Sequence, residues 1–165
     1  RRYYGVRLTD KGESIALRVI RRHRLIELYL SEELDYDLYE VHDEAEELEH
    51  AVSDRFIEAI AAKLGNPTLD PHGDPIPAAD GTIQEASGIS LAKLQLNVEA
   101  RVSRFASDKP DLLQHIMTRN FKLGSQVMVL RRDPFDGPLT ARVDGVESTI
   151  GHNVAMYILV EVDGA

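Results

Sequence analysis

The sequence contains no cysteine among its 165 residues. This absence excludes a disulfide framework, a thiolate ligand for zinc or an iron–sulfur cluster, and a cysteine nucleophile. The sequence also lacks an apolar run near the length of about 18 residues that a membrane-spanning helix needs, and no signal peptide is visible at its start. We therefore expect a protein of the reducing cytoplasm that has no membrane partner.

The charge of the chain is unevenly distributed, although 43% hydrophobic and 28% charged residues are ordinary for a soluble globular protein. Residues 1–30 carry eight basic and three acidic side chains, a net charge of +5. Residues 31–80 carry two basic and fifteen acidic side chains, a net charge of −13. The acidic middle would attract cations and repel nucleic acid, whereas the basic head would either lie near phosphate or form a charged helix face.

Hydrophobic periodicity predicts a helical first half. Residues 1–8 alternate as a short strand, and Thr9 and Ser53 are suited to cap helices. Three helices are predicted, over residues 10–32, 37–51 and 54–64. The segment NPTLDPHGDPIPAADG then holds four prolines and two glycines in sixteen residues, which predicts an ordered turn or a linker at a domain boundary.

The second half has the pattern of short strands around one helix. The strands are predicted in LQLNVEARVSRF, KLGSQVMVLRR, PLTARVDG, GVESTI and AMYILVEV, and the helix in DKPDLLQHIMTRNF. The pair Asp144-Gly145 predicts a tight turn between two of the strands. Several short strands with one helix in about 70 residues indicate a small β-barrel, so the fold class of the chain is α+β.

Potential metal ligands are concentrated in the segment VHDEAEELEH, Val41–His50. On a helix with 100° per residue, four of its side chains fall within a sector about 100° wide beside the apolar stripe. These four are His42, Glu46, Glu49 and His50. On the preceding helix His23 and Glu27 share a face at i, i+4. His72, His115 and His152 have no other potential ligand on a shared helix face, and they are expected to be surface or loop residues.

Two readings of this acidic face remain open from the residues alone. Clustered carboxylates and imidazoles repel one another and shift their pKa values. A divalent cation that binds between them offsets the unfavourable electrostatic energy of this repulsion. Oxygen and nitrogen donors without sulfur suit Mn²⁺, Fe²⁺ or Mg²⁺. The alternative is a solvated acidic helix that binds no ion.

The segments RRHRLIELYL, VHDEAEELEHAVSD and DPHGDPIP, in this order and spacing, resemble the metal-binding and dimerisation domain of the diphtheria-toxin-repressor family. Members of this family are iron- or manganese-dependent transcriptional regulators. The C-terminal part resembles the family's SH3-like domain, which is related to small ferrous-transport accessory domains. The resemblance therefore covers essentially the whole chain.

The resemblance implies an N-terminal winged helix-turn-helix domain that binds DNA. The sequence begins at Arg1 and not at Met, so we expect a processed or tagged chain, or one that lacks its N-terminal part. The implied domains are a wing-strand remnant in residues 1–9, a connector helix with the helical metal-binding and dimerisation domain in 10–80, a linker in 81–93, and the SH3-like domain in 94–165.

The resemblance also implies two neighbouring metal sites. The ancillary site would use His23, Glu27 and His42. The primary site would use Glu46, Glu49 and His50 together with ligands from the missing first helix. Asp108 and Asp111, near SDKPDLLQ, are weaker candidates for ligands from the SH3-like domain.

Glu46 bears on the choice of metal, because iron-type members of the family carry a cysteine there and manganese-type members a glutamate. A hard carboxylate in place of a soft sulfur favours Mn²⁺, with Fe²⁺ or another divalent transition metal as a substitute. The resemblance therefore implies a homodimeric, manganese-dependent repressor of metal-uptake genes that binds operator DNA through the missing N-terminal domain.

Two other functions are considered beside this one. A metal-binding dimeric interaction module without DNA binding is the alternative if 165 residues is the natural length. A metalloenzyme would also use clustered carboxylates and histidines. However, the sequence shows no further general base, phosphate cradle or glycine-rich loop, and we expect that the protein is not an enzyme.

Overall fold

The computed structural model describes residues 7–162, in which a helical unit precedes a β-sheet unit. The helical unit consists of α1 (Asp10–Glu33), α2 (Val41–Ala51) and α3 (Asp54–Lys63). The predicted strand of residues 1–8 falls mostly outside the described residues, and residues 7–9 have no regular structure.

The predicted caps of the first and third helices are confirmed. The Thr9 side chain accepts a hydrogen bond from the backbone N–H of Gly12 at 3.1 Å, and the Ser53 side chain accepts one from Phe56 at 3.3 Å. Each cap satisfies a backbone donor that has no partner within the helix. Gly65 follows α3 with a φ of +76°, in the left-handed region where glycine commonly ends a helix.

The second helix begins at Val41, four residues later than predicted. Residues 37–40 form a tight turn, in which the backbone N–H of Glu40 donates to the carbonyl oxygen of Asp37 at 2.8 Å. The Glu40 carboxylate in turn accepts from the backbone N–H of Asp37 at 3.3 Å. These local hydrogen bonds hold residues 37–40 in a turn, so the helix begins only after them.

The helical unit encloses its own hydrophobic core. The apolar stripe of α2 packs against the C-terminal half of α1, and α3 also packs against α1. The core includes the buried side chains of Leu25, Ile26, Leu28, Leu30, Val41, Ala45, Ile57, Ile60 and Ala61. The N-terminal half of α1 lies outside this core, since Ile15 and Val19 are exposed.

The second unit is a six-stranded antiparallel sheet with the strand order β1-β6-β2-β3-β4-β5. Its elements are β1 (Ile89–Ser90), β2 (Glu99–Phe105), α4 (Pro110–Met117), β3 (Gln126–Arg132), β4 (Leu139–Val143), β5 (Val146–Ile150), α5 (His152–Ala155) and β6 (Ile158–Val162). Register shifts in β2 and β3 bend the sheet around a core that contains Phe105 and Phe121. The predicted turn at Asp144-Gly145 is confirmed, with both residues at positive φ.

The proline-rich segment after α3 is an ordered turn between the two units. The carbonyl oxygen of His72 accepts the backbone N–H of Phe105 in β2 at 2.9 Å. A Cβ on Gly73 would lie 2.1 Å from the carbonyl oxygen of Ser103, so only glycine fits there. Residues 89–93, which fall within the predicted linker, instead contribute β1 and the buried Leu91 and Ala92 to the sheet unit.

Across residues 7–162, every helix is too short or too polar to cross a membrane.

Candidate metal centre

The pairing of α1 with α2 brings the predicted ligands of both helices together. Val41 and Ala45 are fully buried against α1, and this packing turns the flanking face of α2 toward the same side of α1. His23 and Glu27, one turn apart on α1, therefore face His42 and Glu49.

Three donor atoms meet at the ancillary position. Nε2 of His23 lies 3.0 Å from Oε1 of Glu27 and 3.1 Å from Nδ1 of His42, and Nδ1 of His42 lies 3.2 Å from Oε1 of Glu27. Neighbouring ligands of an octahedral ion with bonds of about 2.1 Å lie roughly 3 Å apart. The three atoms thus have the mutual spacing of adjacent ligands around one ion.

The buried Glu27 carboxylate is held in its charged form. Burial would raise its pKa, but the hydrogen-bonded imidazole of His23 and the nearby charge of His72 outweigh burial and lower the pKa to about 2. Burial would likewise lower the pKa of His23, yet Glu27 and Glu49 together raise it above the usual value. Protons thus supply the positive charge that a bound cation would replace.

The predicted primary group lies on the open side of this cluster. Glu46 and Glu49 line a shallow cleft with His23 and His42. Nδ1 of His23 lies 2.9 Å from Oε2 of Glu49, so His23 contacts both predicted groups and not the ancillary group alone. His50, with 78% of its side chain exposed, touches Glu49 at 3.3 Å.

His72 is a residue that the sequence interpretation missed. It was expected to be a surface or loop residue; it does lie in a turn, but only 4% of it is exposed, so the expectation of a solvent-facing side chain is wrong. Its Nε2 lies 3.6 Å from Oε1 of Glu27, and neither ring nitrogen has a hydrogen-bond partner among the described residues. Buried imidazole nitrogens without partners fit a site that receives a ligand.

A cleft of about 320 Å³ joins His72 to the ancillary group. The acids Asp70, Asp74 and Asp108 also line it, and Oδ2 of Asp108 lies 3.8 Å from Nε2 of His42. Asp111 is not brought to this cluster, because it lies on α4 in a separate shallow pocket beside His115. The sequence signal for the missed His72 was the DPHGD segment, whose aspartate, proline and glycine are typical of a tight turn.

Comparison with known domain families divides the chain where the structure does. Residues 9–78 match the iron dependent repressor, metal binding and dimerisation domain. Residues 89–162 match the FeoA domain.

Several known proteins are similar over most of the chain. The iron-dependent repressor IdeR of Mycobacterium leprae is 40% identical over 167 residues, which cover 93% of this chain and 72% of the relative. The diphtheria toxin repressor of Corynebacterium diphtheriae is 25% identical over 95% of this chain and 73% of its own length. A solved manganese-dependent transcriptional repressor in complex with manganese is 42% identical, with a TM-score of 0.88, over 94% of this chain and 74% of that one.

A further match covers only the helical unit. A probable metal transport system membrane protein of Chlamydia trachomatis is 44% identical over 70 residues, which are 42% of this chain but 16% of that protein. The helical unit therefore resembles part of a protein of a different kind as well.

Proposed function

This chain belongs to the diphtheria-toxin-repressor family, and from this premise we propose that it is the metal-sensing part of a homodimeric, Mn²⁺-responsive transcriptional repressor that binds DNA. The observation that carries the proposal is the convergence of His23, Glu27, His42 and Glu49 across the α1–α2 contact. A divalent transition metal is the ligand of the site.

The donor set supports the preference for manganese. All donors of the cluster are imidazole nitrogens or carboxylate oxygens, and the chain has no cysteine. Glu46 places a hard oxygen at the rim, where it faces the same cleft as Glu49. Oxygen-rich sets of this kind suit Mn²⁺, whereas sulfur would shift the preference toward softer ions.

We propose the following roles for the residues of the site. His23, Glu27 and His42 would hold one ion, with Asp108 and the buried His72 facing the same cleft. A bound cation supplies positive charge to this acidic face. Glu46, Glu49 and His50 form an open half-site that a ligand from the DNA-binding domain would complete.

Completing this half-site would link metal binding to operator binding. A ligand from the DNA-binding domain would fix that domain relative to α1 and α2. In a dimer this fixes the spacing of the two recognition elements, which must match the two half-sites of an operator. Metal and DNA would then increase each other's affinity by the same factor.

The test uses the protein with its natural N-terminal domain. Operator binding is followed by fluorescence anisotropy while Mn²⁺ or Fe²⁺ is titrated under anaerobic conditions. We expect activation at a lower concentration of free Mn²⁺ than of Fe²⁺. Activation by both ions at equal concentrations would reject the preference, and binding that no metal changes would reject the sensor.

A second candidate function is a metal-binding dimeric module that does not bind DNA. The match of the helical unit to part of a metal transport protein favours it. Reading the coding sequence upstream of Arg1 distinguishes the two. A helix-turn-helix pattern supports the repressor, and a start codon directly before Arg1 supports the module.

A further inference from the structure

We propose that Arg24 and Arg104 are positioning residues, which fix the turn of residues 70–74 between the two units and so present the His72 imidazole to Glu27. This inference rests on the proposed metal site and deepens it. It assigns a role to two arginines that touch no candidate ligand atom of the ancillary cluster.

The conformation of the turn is set by a buried carboxylate. Oδ1 of Asp70 accepts the backbone N–H groups of His72 and Asp74, each at 2.8 Å. The backbone closes the same turn, since the N–H of Asp70 donates to the carbonyl oxygen of Asp74 at 2.9 Å. Asp70 therefore shapes the loop that carries His72 and has one oxygen already committed to it.

Arg24 ties this turn to the helix that carries the metal ligands. It follows His23 directly on α1, and its Nε lies 3.4 Å from Oδ2 of Asp70. Its Nη1 donates to the carbonyl oxygen of Pro75, and its Nη2 lies 3.8 Å from Oδ1 of Asp74. Arg24 thus contacts residues at both ends of the turn and ties them to α1.

Arg104 ties the other side of the turn to the sheet. It lies on β2, and its Nη1 donates to Oδ1 of Asp74 at 3.0 Å. The adjacent Phe105 donates its backbone N–H to the carbonyl oxygen of His72, and Gly73 packs against the backbone of Ser103. Asp74 therefore stands between one arginine from the helical unit and one from the sheet.

This arrangement makes the placement of His72 depend on both units. The ring is buried and its nitrogens have no partner among the described residues, so local hydrogen bonds do not orient it. Its direction is set by the backbone of the turn, and the turn is held by the two arginines. Loosening either attachment should displace the imidazole from Glu27 while His23 and His42 keep their places on α1 and α2.

The ion pair of Arg104 with Asp74 is mostly buried. About a quarter of the side chains of Arg104 and Asp74 is accessible, at 23% and 25%. Removing one partner leaves the other charge with little solvent to replace it, so a change at Arg104 is expected to cost some stability as well as to loosen the turn. The melting temperature of each variant is therefore measured first, and Mn²⁺ binding is compared between folded proteins.

The experiment compares Arg104→Met and Asp74→Asn with a surface control that removes the same charge, Arg131→Met. Arg131 lies on the neighbouring strand β3, and its side chain is 72% exposed beside Asp133. His72→Ala in the same protein defines which bound ion depends on the imidazole. Mn²⁺ binding is measured from the electron paramagnetic resonance signal of the free ion, and the hydrogen exchange of the Phe105 amide reports on the turn.

We expect His72→Ala to weaken the binding of one Mn²⁺ ion. Arg104→Met and Asp74→Asn should weaken the same ion by roughly 10- to 100-fold, as the loss of supporting contacts around a ligand does. Both should also speed exchange of the Phe105 amide, and Arg131→Met should match the unchanged protein. Should Arg104→Met fold poorly, Asp74→Asn carries the same test, because it keeps the shape of the side chain and removes its charge.

Two results would overturn the inference, and they are distinguishable. If His72→Ala weakens an ion while Arg104→Met and Asp74→Asn bind Mn²⁺ and exchange as the unchanged protein does, the arginines do not position His72. If His72→Ala leaves Mn²⁺ binding unchanged, His72 has no part in the site and the inference fails with it. If no variant and no unchanged protein binds Mn²⁺, the proposed function itself is wrong.

Discussion

Nδ1 of His23 lies 2.9 Å from Oε2 of Glu49, while Nε2 of the same ring lies 3.0 Å from Oε1 of Glu27. One imidazole therefore connects the two groups of ligands that the family resemblance separates. Its two nitrogens are distinct atoms, and the partner of one determines what the other can bind. The two metal positions are for this reason not independent.

Replacing His23 should affect both positions at once. We expect His23→Ala to lower the Mn²⁺ affinity of each by at least about tenfold, since losing a ligand costs no less than losing one of its supports. His50→Ala is the control, because His50 belongs to the primary group alone and lies 3.3 Å from Glu49 with a largely exposed side chain, so it should weaken one position and not both. Isothermal titration calorimetry of both variants would contradict the coupling if His23→Ala altered a single binding event.

The metal-free protein should lose stability as the pH rises from about 5 to 8. His23 and His72 have pKa values raised above the usual 6.5, because their acidic neighbours outweigh burial, and burial raises the pKa of Asp70 to about 6. Groups that hold protons more tightly in the folded state stabilise it at low pH, and this contribution is lost as the pH passes through their folded pKa values. The lowered pKa of Glu27 acts below this range, between about 4.5 and 2.

Mn²⁺ should reverse this trend, because its ligands must be deprotonated to bind. The melting temperature with excess chelator is therefore expected to fall between pH 5 and 8, while the increase caused by Mn²⁺ grows. A chelated protein whose melting temperature rises over that range would contradict the proposed protonation of the site.

Glu46 should control metal selectivity. We expect Glu46→Cys to raise the affinity for Zn²⁺ and Fe²⁺ relative to Mn²⁺, because a thiolate is a softer ligand than a carboxylate. Glu47→Cys is the matched control, since Glu47 is the next residue of α2 and is also exposed. Competition between the ions, measured anaerobically, should show a shift for the first variant and none for the second.

Gly73→Ala should destabilise the protein more than Gly65→Ala. Both glycines have positive φ, which costs an L-residue about 1 to 2 kcal/mol. A Cβ at position 65 meets nothing within 4 Å, whereas one at position 73 would lie 2.1 Å from the Ser103 carbonyl oxygen. Chemical denaturation of both variants isolates the steric part, and equal losses would show that the turn is free to move away from β2.

The sequence predicted what depends on residues close together in the chain. The caps at Thr9 and Ser53, and the shared face of His42, Glu46, Glu49 and His50, follow from local hydrogen bonding and helical geometry. His72 could not be found in this way. Its role depends on a turn that docks between α1 and β2. The end of α1 at Glu33 and the start of β2 at Glu99 are 66 residues apart, and no periodicity encodes such a contact.

Contacts that local sequence does not encode also explain the smaller differences between the predicted and the observed helices and ligand groups. The start of α2 at Val41 depends on the turn between Asp37 and Glu40, which competes locally with the helix. The position of His23 between two ligand groups depends on how α2 rotates against α1. That rotation is fixed by the burial of Val41 and Ala45, a property of the packed pair and not of either helix.

The backbone of His72 contacts the sheet unit, and its side chain contacts the helical unit. Its carbonyl oxygen is bonded to the Phe105 amide of the sheet, and its ring faces the Glu27 carboxylate of the helix. Only a few covalent bonds separate the carbonyl oxygen and the ring, so a movement of the sheet that shifts the His72 backbone also shifts its imidazole. A displacement of β2 by about an ångström would reach the imidazole almost undiminished, and it would exceed several times the tolerance of about 0.2 Å in ligand distance that a metal site permits.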